Sequence, residues 1–79
     1  MSVDNTSART NAGYTIIETV QIDEHLEIVL GRMETSLGTM YVTWQCSDGD
    51  NYFWGHYFDK DASAARRDLF TRALEQLPK

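Results

Sequence analysis

From Tyr14 onward, apolar and polar residues alternate with a period of two: Ile16, Val20 and Ile22 against Thr15, Thr19 and Gln21, then Leu26, Ile28 and Leu30 against Glu27 and Gly31. Successive side chains of an extended strand point to opposite faces, so the pattern predicts two strands. With Asp23-Glu24-His25 as the connection, Ile22 falls opposite Leu26, Val20 opposite Ile28 and Glu18 opposite Leu30. That register gathers nearly all the aliphatic side chains on one surface, whereas a slip of one residue would set Val20 against Glu27. Glu34 to Gly38 reads as a loop. Thr39 to Cys46, rich in β-branched and aromatic residues, reads as a third strand, and Tyr52-Phe53-Trp54-Gly55-His56-Tyr57-Phe58 as a fourth. Between them, Ser47-Asp48-Gly49-Asp50-Asn51 carries residues that tolerate positive φ, which predicts a hairpin.

A five-residue connection at that turn places Met40, Val42, Trp44, Cys46, Tyr52, Trp54, His56 and Phe58 on one face and Tyr41, Thr43, Gln45, Phe53, Gly55 and Tyr57 on the other. The first set reads as core, although a two-residue Asp48-Gly49 turn would reshuffle both. After Phe58 the period lengthens to that of a helix. Ala62, Ala65, Leu69, Ala73 and Leu77 form one stripe, which Phe70 and Leu74 widen. Asp59 or Asp61 is placed to cap its start, Pro78 marks its end, and Asp68 and Arg72 are spaced to pair at i,i+4. Residues 1–12 are small and polar without any apolar period, so a disordered N-terminal tail is expected ahead of a single domain over residues 13–79. The expected fold is α+β: a four-stranded antiparallel β-meander with one C-terminal α-helix packed on one face.

The length of 79 residues supports one core that removes roughly 60% of the unfolded surface from water, which leaves no cleft between domains. No apolar run approaches the ~20 residues needed to span a bilayer. The single cysteine, Cys46, has no partner in the chain for a disulfide, and the first residues lack the basic and then apolar order of a secretory signal. A cytoplasmic location and no membrane association are therefore expected. Charge is uneven, net −6 over residues 1–58 and net +1 over residues 59–79. An acidic chain repels phosphate, so no direct nucleic-acid binding is expected.

Chemistry is sparse. Cys46, His25 and His56, with Asp48 and Asp50 nearby, match no recognised ligand spacing, so neither a metal nor another cofactor is expected. The plain reading makes Cys46 a small buried hydrophobe and His56 a sheet residue opposite Val42, hydrogen-bonded by a neighbour. A thiol or metal enzyme centred on Cys46 and His56 stands as a minor alternative. Asp48 and Asp50 lack the further ligands of a calcium loop, and turn chemistry accounts for both. Lys60, Arg66, Arg67 and Arg72 read as a solvated helix face. Asp23, Glu24, Glu27, Glu34, Asp48 and Asp50 crowd the hairpin ends and could imitate a row of phosphates, which offers the leading alternative, ahead of the enzyme: an acidic mimic of nucleic acid that inhibits a nucleic-acid-binding machine.

Five of the nine aromatic side chains fall within residues 52–58, too many for one side of one strand. On the face turned away from the helix, Tyr41, Phe53 and Tyr57, flanked by Ile17 and Val29, would form an apolar patch of a few hundred Å², near the upper end of what solitary proteins expose. This predicts a non-enzymatic interaction protein that binds a protein partner, or itself as a homodimer, through that face.

The segments Tyr41-Val42-Thr43-Trp44 and Tyr52-Phe53-Trp54-Gly55-His56-Tyr57-Phe58, followed by Ala62, Ala65 and Asp68-Leu69-Phe70-Thr71-Arg72, resemble a group of short uncharacterised proteins of bacterial phages and other mobile elements. The resemblance covers most of residues 14–75. The group brings no established activity and no functional residue. It implies a regulator or an inhibitor of host machinery, of the anti-CRISPR kind, in preference to an enzyme.

Overall fold

Asp23 decides where the first long hairpin turns. Its Oδ1 accepts the backbone N–H groups of His25 and Leu26, each at 2.8 Å, satisfying two donors that the reversing chain would otherwise leave without partners. These bonds, the one from His25 foremost, stabilise the ionised form and hold the Asp23 carboxyl below its usual range. The turn joins β2 (Tyr14–Gln21) to β3 (Leu26–Thr35). Val20 lies opposite Ile28 and Glu18 opposite Leu30, the register that keeps the aliphatic residues together.

A computed structural model describes residues 9–77. After β3 come β4 (Gly38–Ser47), β5 (Asn51–Asp59) and α1 (Ala62–Gln76). The loop expected at 34–38 shrinks to Ser36 and Leu37, because β3 and β4 stay paired as far as Thr35 and Gly38. The Thr35 hydroxyl closes that turn by donating to the Gly38 carbonyl at 2.7 Å and accepting from the Leu37 N–H at 3.1 Å. Asp61 caps α1, its carboxylate accepting from the Ala64 N–H at 3.0 Å. Pro78 lies outside the described residues. No helix among the described residues is long and apolar enough to cross a membrane.

Among the described residues the sheet has five antiparallel strands in sequence order, one more than the four expected. The addition is β1 (Thr10–Asn11), taken from the stretch that reads as a disordered tail; it pairs Thr10 with Thr15 and Asn11 with Tyr14. Residues 1–8 of that tail lie outside the described residues. What fastens this segment is Arg9, which the polar composition concealed. Its guanidinium forks onto Glu27 at 3.2 and 2.9 Å, donates to the Tyr52 hydroxyl at 3.0 Å and reaches the Gly49 carbonyl at 3.3 Å. The Glu27 carboxylate in turn holds the Arg9 pKa above its usual value.

Arg9 and Tyr52 stand at opposite sides of the sheet in strand order, and so do Tyr14 of β2 and Tyr57 of β5, yet the two tyrosine rings are 6.3 Å apart. The sheet must therefore curl, and its two sides meet over the face that α1 does not cover. That face carries its own core: Tyr14, Val29, Val42, Trp44 and Cys46, with Met33, Met40 and Tyr52 against them. Tyr14 and Trp44 meet edge to face at 5.6 Å, over Gly31. A Cβ on Gly31 would stand 3.0 Å from Tyr14 and 3.3 Å from Trp44, so the backbone yields the space the rings occupy. The second core lies under α1, where Ile28, Leu30, Ala65, Leu69 and Ala73 pack with Val20, Tyr41 and Phe58. Each fully buried Ile or Leu there contributes about 1.5–3 kcal/mol.

This arrangement corrects the expected faces. The helix covers the side bearing Tyr41 and Thr43, and Trp44 and Cys46 are buried on the other side by the curl. In β4 the helix side is set by register, Thr43 lying opposite Leu30 and Trp44 opposite Val29; in β2 and β5 two bulges shift the faces further. One leaves Ile17 unpaired between Ile16 and Glu18 in β2, and the other sets Trp54 and Gly55 of β5 against Trp44 alone. An extra residue bends a strand, increases its twist and inverts the alternation beyond it.

Candidate functional site

Trp54 sits in that second bulge with φ +54°, a left-handed conformation that bulky L side chains rarely adopt and that costs about 1–3 kcal/mol. Its indole is 69% exposed. The ring stands edge-on to Phe53 with centroids 5.0 Å apart, so the sheet displays a braced aromatic pair at its margin instead of burying it. Beside it, Gly55 leaves room for two further rings. A Cβ there would come 2.8 Å from Trp44 Nε1 and 2.9 Å from Tyr57 Cε1. Tyr57 is 64% exposed, and one flank of its ring meets Trp44 at 6.4 Å.

The strained peptide is held from beneath by Arg72, a helix residue that is 5% exposed. Its Nη2 donates to the Trp54 carbonyl at 2.7 Å, and its Nη1 donates to the Thr43 carbonyl at 3.1 Å and the Thr43 hydroxyl at 3.0 Å. Burial pulls the guanidinium pKa below its usual value, with Asp68 and Glu75 opposing. The Thr43 hydroxyl passes its own hydrogen to Asp68 Oδ2 at 2.6 Å, and His56 Nδ1 meets the same oxygen at 2.9 Å. A carboxylate only accepts, so Nδ1 carries the hydrogen and Nε2 is left as the outward nitrogen. Arg72, Thr43, Asp68 and His56 thus form one polar chain that joins the helix to the bulge.

Arg72 is therefore no part of a solvated basic face, and it does not simply pair with Asp68 along the helix; both converge on Thr43. His56 faces Thr43, not Val42. Phe70 and Leu74, expected to widen the buried stripe, are exposed, because α1 buries only Ala65, Leu69, Arg72 and Ala73.

The five residues expected to share an outer face are dispersed. Val29 is 0% exposed within the aromatic core. Tyr41 is half-buried against the helix side. Phe53 lies opposite Gln45, on the helix side, while Tyr57 points to the other face. Ile17 protrudes from the β2 bulge, beside an open cleft of about 260 Å³ with Arg32 and Met33. Phe53 and Tyr57 flank the β5 bulge on opposite faces of the sheet. Trp54, which reads as core in the sequence, is the exposed member of the group; the signal that could have found it is the Trp-Gly step inside an otherwise continuous strand.

The acidic residues do not form one row. Asp23, Glu24, Asp48 and Asp50 lie at one end of the sheet, where the Asp48 N–H donates to the His25 carbonyl at 2.8 Å and His25 Nδ1 meets Asp48 Oδ1 at 3.0 Å. Glu27 is buried and clasped by Arg9. Glu34 sits at the far end of β3, bonded to Arg32 and accepting from Thr39. Cys46 and His56 occupy opposite faces of the sheet. The thiol is fully buried, accepts from Arg9 at 3.5 Å, and is pushed up by burial, with Glu27 adding to the effect. Among the described residues no group of three His, Cys, Asp or Glu side chains is arranged to hold a metal ion. Compared with protein-family models, curated proteins and solved structures, the chain matches none.

Proposed function

We propose that this chain is an interaction module rather than a catalyst, and that it binds a protein partner or another copy of itself through the β5 margin, with Trp54 as the anchor and Phe53 and Tyr57 beside it. The observation that carries the reading is the strained Trp54 backbone, fixed by a buried arginine while its indole faces water. An exposed aromatic held in one orientation loses little conformational entropy on binding, which is why such residues dominate interface energetics. Strain retained at an exposed aromatic residue fits a functional constraint. The edge position adds backbone hydrogen-bonding groups that a strand can meet.

The test is Trp54→Ala and Tyr57→Ala in a pull-down from native cells, with far-UV circular dichroism confirming the fold. Loss of the captured partner or of self-association, with the fold intact, is expected. Full retention of every interaction by both variants would remove the reading.

A further inference from the structure

We infer that the cleft filled by Arg9 is an arginine-binding socket, that Arg9 is its intramolecular occupant, and that an extended partner segment bearing an arginine side chain takes the same place. The inference concerns a different site from Trp54 and stands without the interaction reading above.

The socket is complete without the segment that fills it. Glu27 of β3 lies opposite Cys46 of β4, and Cys46 opposite Tyr52 of β5. These three cross-strand neighbours and the Gly49 carbonyl of the adjoining turn surround the guanidinium, and among the described residues β1 and β2 give it no hydrogen bond. Glu27 grips Nη1 and Nη2 at 3.2 and 2.9 Å, the Tyr52 hydroxyl accepts from Nε at 3.2 Å, and the guanidinium carbon stands 5.7 Å from the centre of the Tyr52 ring. A forked carboxylate beside an aromatic ring favours arginine over lysine, whose ammonium has no planar fork. Without Arg9, a carboxylate on a residue that is 7% exposed would have no cation, and a buried charge left unpaired calls for another.

The backbone tether of the native occupant is slight. β1 is two residues long, and the turn to β2 passes through Ala12 at φ +53° and Gly13 at φ +85°. A two-residue turn of that hand favours Asn, Asp or Gly in its first position, so Ala12 holds a left-handed backbone that its Cβ resists. Charge selects the visitor. Asp48 and Asp50 flank Gly49, and residues 1–58 carry net −6, which draws a basic segment and repels an acidic one. An extended segment entering there would take over the backbone pairing that Thr10 and Asn11 make with Thr15 and Tyr14.

The experiment compares the full native chain with full-length Arg9→Ala. The probes are acetyl-Ala-Arg-Thr-Asn-amide, which repeats residues 8–11, and the same peptide with neutral citrulline in place of arginine. NMR titration to about 10 mM peptide registers affinities as weak as ~10 mM. Arg9→Ala is expected to bind the arginine peptide saturably, with shifts at Glu27, Cys46 and Tyr52. The citrulline peptide is expected to bind at least ~10-fold more weakly, the discrimination that hydrogen bonds between charged groups supply. The native chain is expected to bind the arginine peptide several-fold more weakly than Arg9→Ala does, with the Arg9 Nε–H signal shifting as Arg9 leaves, and Glu27→Gln added to Arg9→Ala is expected to abolish binding. Equal binding of the two peptides, no binding by Arg9→Ala, binding that survives Glu27→Gln, equal affinity of the native chain and Arg9→Ala, or an Arg9 signal that never moves overturns the inference. If Arg9→Ala folds poorly, N-ethylguanidinium restores the missing atoms: a rise in Tm with it and not with N-ethylurea at the same concentration supports the socket, and no difference between the two overturns it.

Discussion

Arg72→Met is the sharpest test of the link between helix and bulge, since it keeps most of the side-chain length and removes only the guanidinium. Two carbonyls, of Thr43 and Trp54, lose their donor, and each buried acceptor left without a partner costs about 1–3 kcal/mol. Against this, a cation whose pKa is already lowered by burial no longer has to be kept from water, which offsets part of the loss. The expected net destabilisation is about 2–4 kcal/mol, a large share of the ~4–12 kcal/mol that a domain of this size has. In urea, with a slope of about 1–2 kcal/mol per molar, the midpoint should fall by roughly 2 M. Thr43→Val removes the hydroxyl shared by Arg72 and Asp68, so the double variant should lose less than the two single losses combined, by about 1 kcal/mol. Denaturation followed by circular dichroism supplies all three values. A change below about 0.5 kcal/mol for Arg72→Met, or additivity of the pair within ~0.3 kcal/mol, would refute the network.

The two tryptophans should behave oppositely: Trp54→Ala costs under about 1 kcal/mol in thermal or urea unfolding because its indole is exposed, whereas Trp44→Ala, in the aromatic core, costs about 3–5 kcal/mol. Gly55→Ala forces a methyl against Trp44 and Tyr57 and should cost about 1–3 kcal/mol, with near-ultraviolet dichroism reporting the displaced rings. The Asp23 carboxyl should titrate by NMR with a midpoint below its ordinary 3.8. Because its folded value lies below the unfolded one, its contribution is complete above about pH 5 and declines as pH drops through the folded midpoint. The stability gap between the native chain and Asp23→Ala should accordingly be level near neutrality and close in acid; a gap that widens in acid would reverse the assignment.

Much of the fold was legible where periodicity and turn chemistry agreed. The Asp23-Glu24-His25 turn, the Val20 to Ile28 register, the Cys46 to Tyr52 pairing across the next turn and the Asp61 cap all follow from local rules, and the structure has each of them. The faces were not legible, because strict alternation assumes unbroken strands, and the bulges at Ile17 and Trp54 each shift the parity. Nor does alternation describe a sheet that curls: Trp44 is buried by Tyr14 and Tyr52 and not by the helix. The candidate site suffered most. Trp54 read as core because alternation set it on the face of Trp44, which the bulge undoes, and Arg72 read as surface since arginine usually is, which partners 18 and 29 positions away reverse.

The Arg9 clasp has a consequence for how the molecule comes into being. Its carboxylate partner Glu27 is 18 positions downstream and its hydroxyl partner on Tyr52 is 43 positions downstream, so during synthesis from the amino end the strap can grip β3 early but waits for β5 to complete its hold. Closing so long a loop adds little to the final free energy, since the entropic penalty grows only logarithmically with loop length. It does bear on rate, because contacts between distant positions slow the search for the native arrangement. Until β5 brings Tyr52 and Tyr57 against Trp44, the aromatic core is incomplete, and in that interval the nascent chain is most exposed to capture by other unfinished molecules.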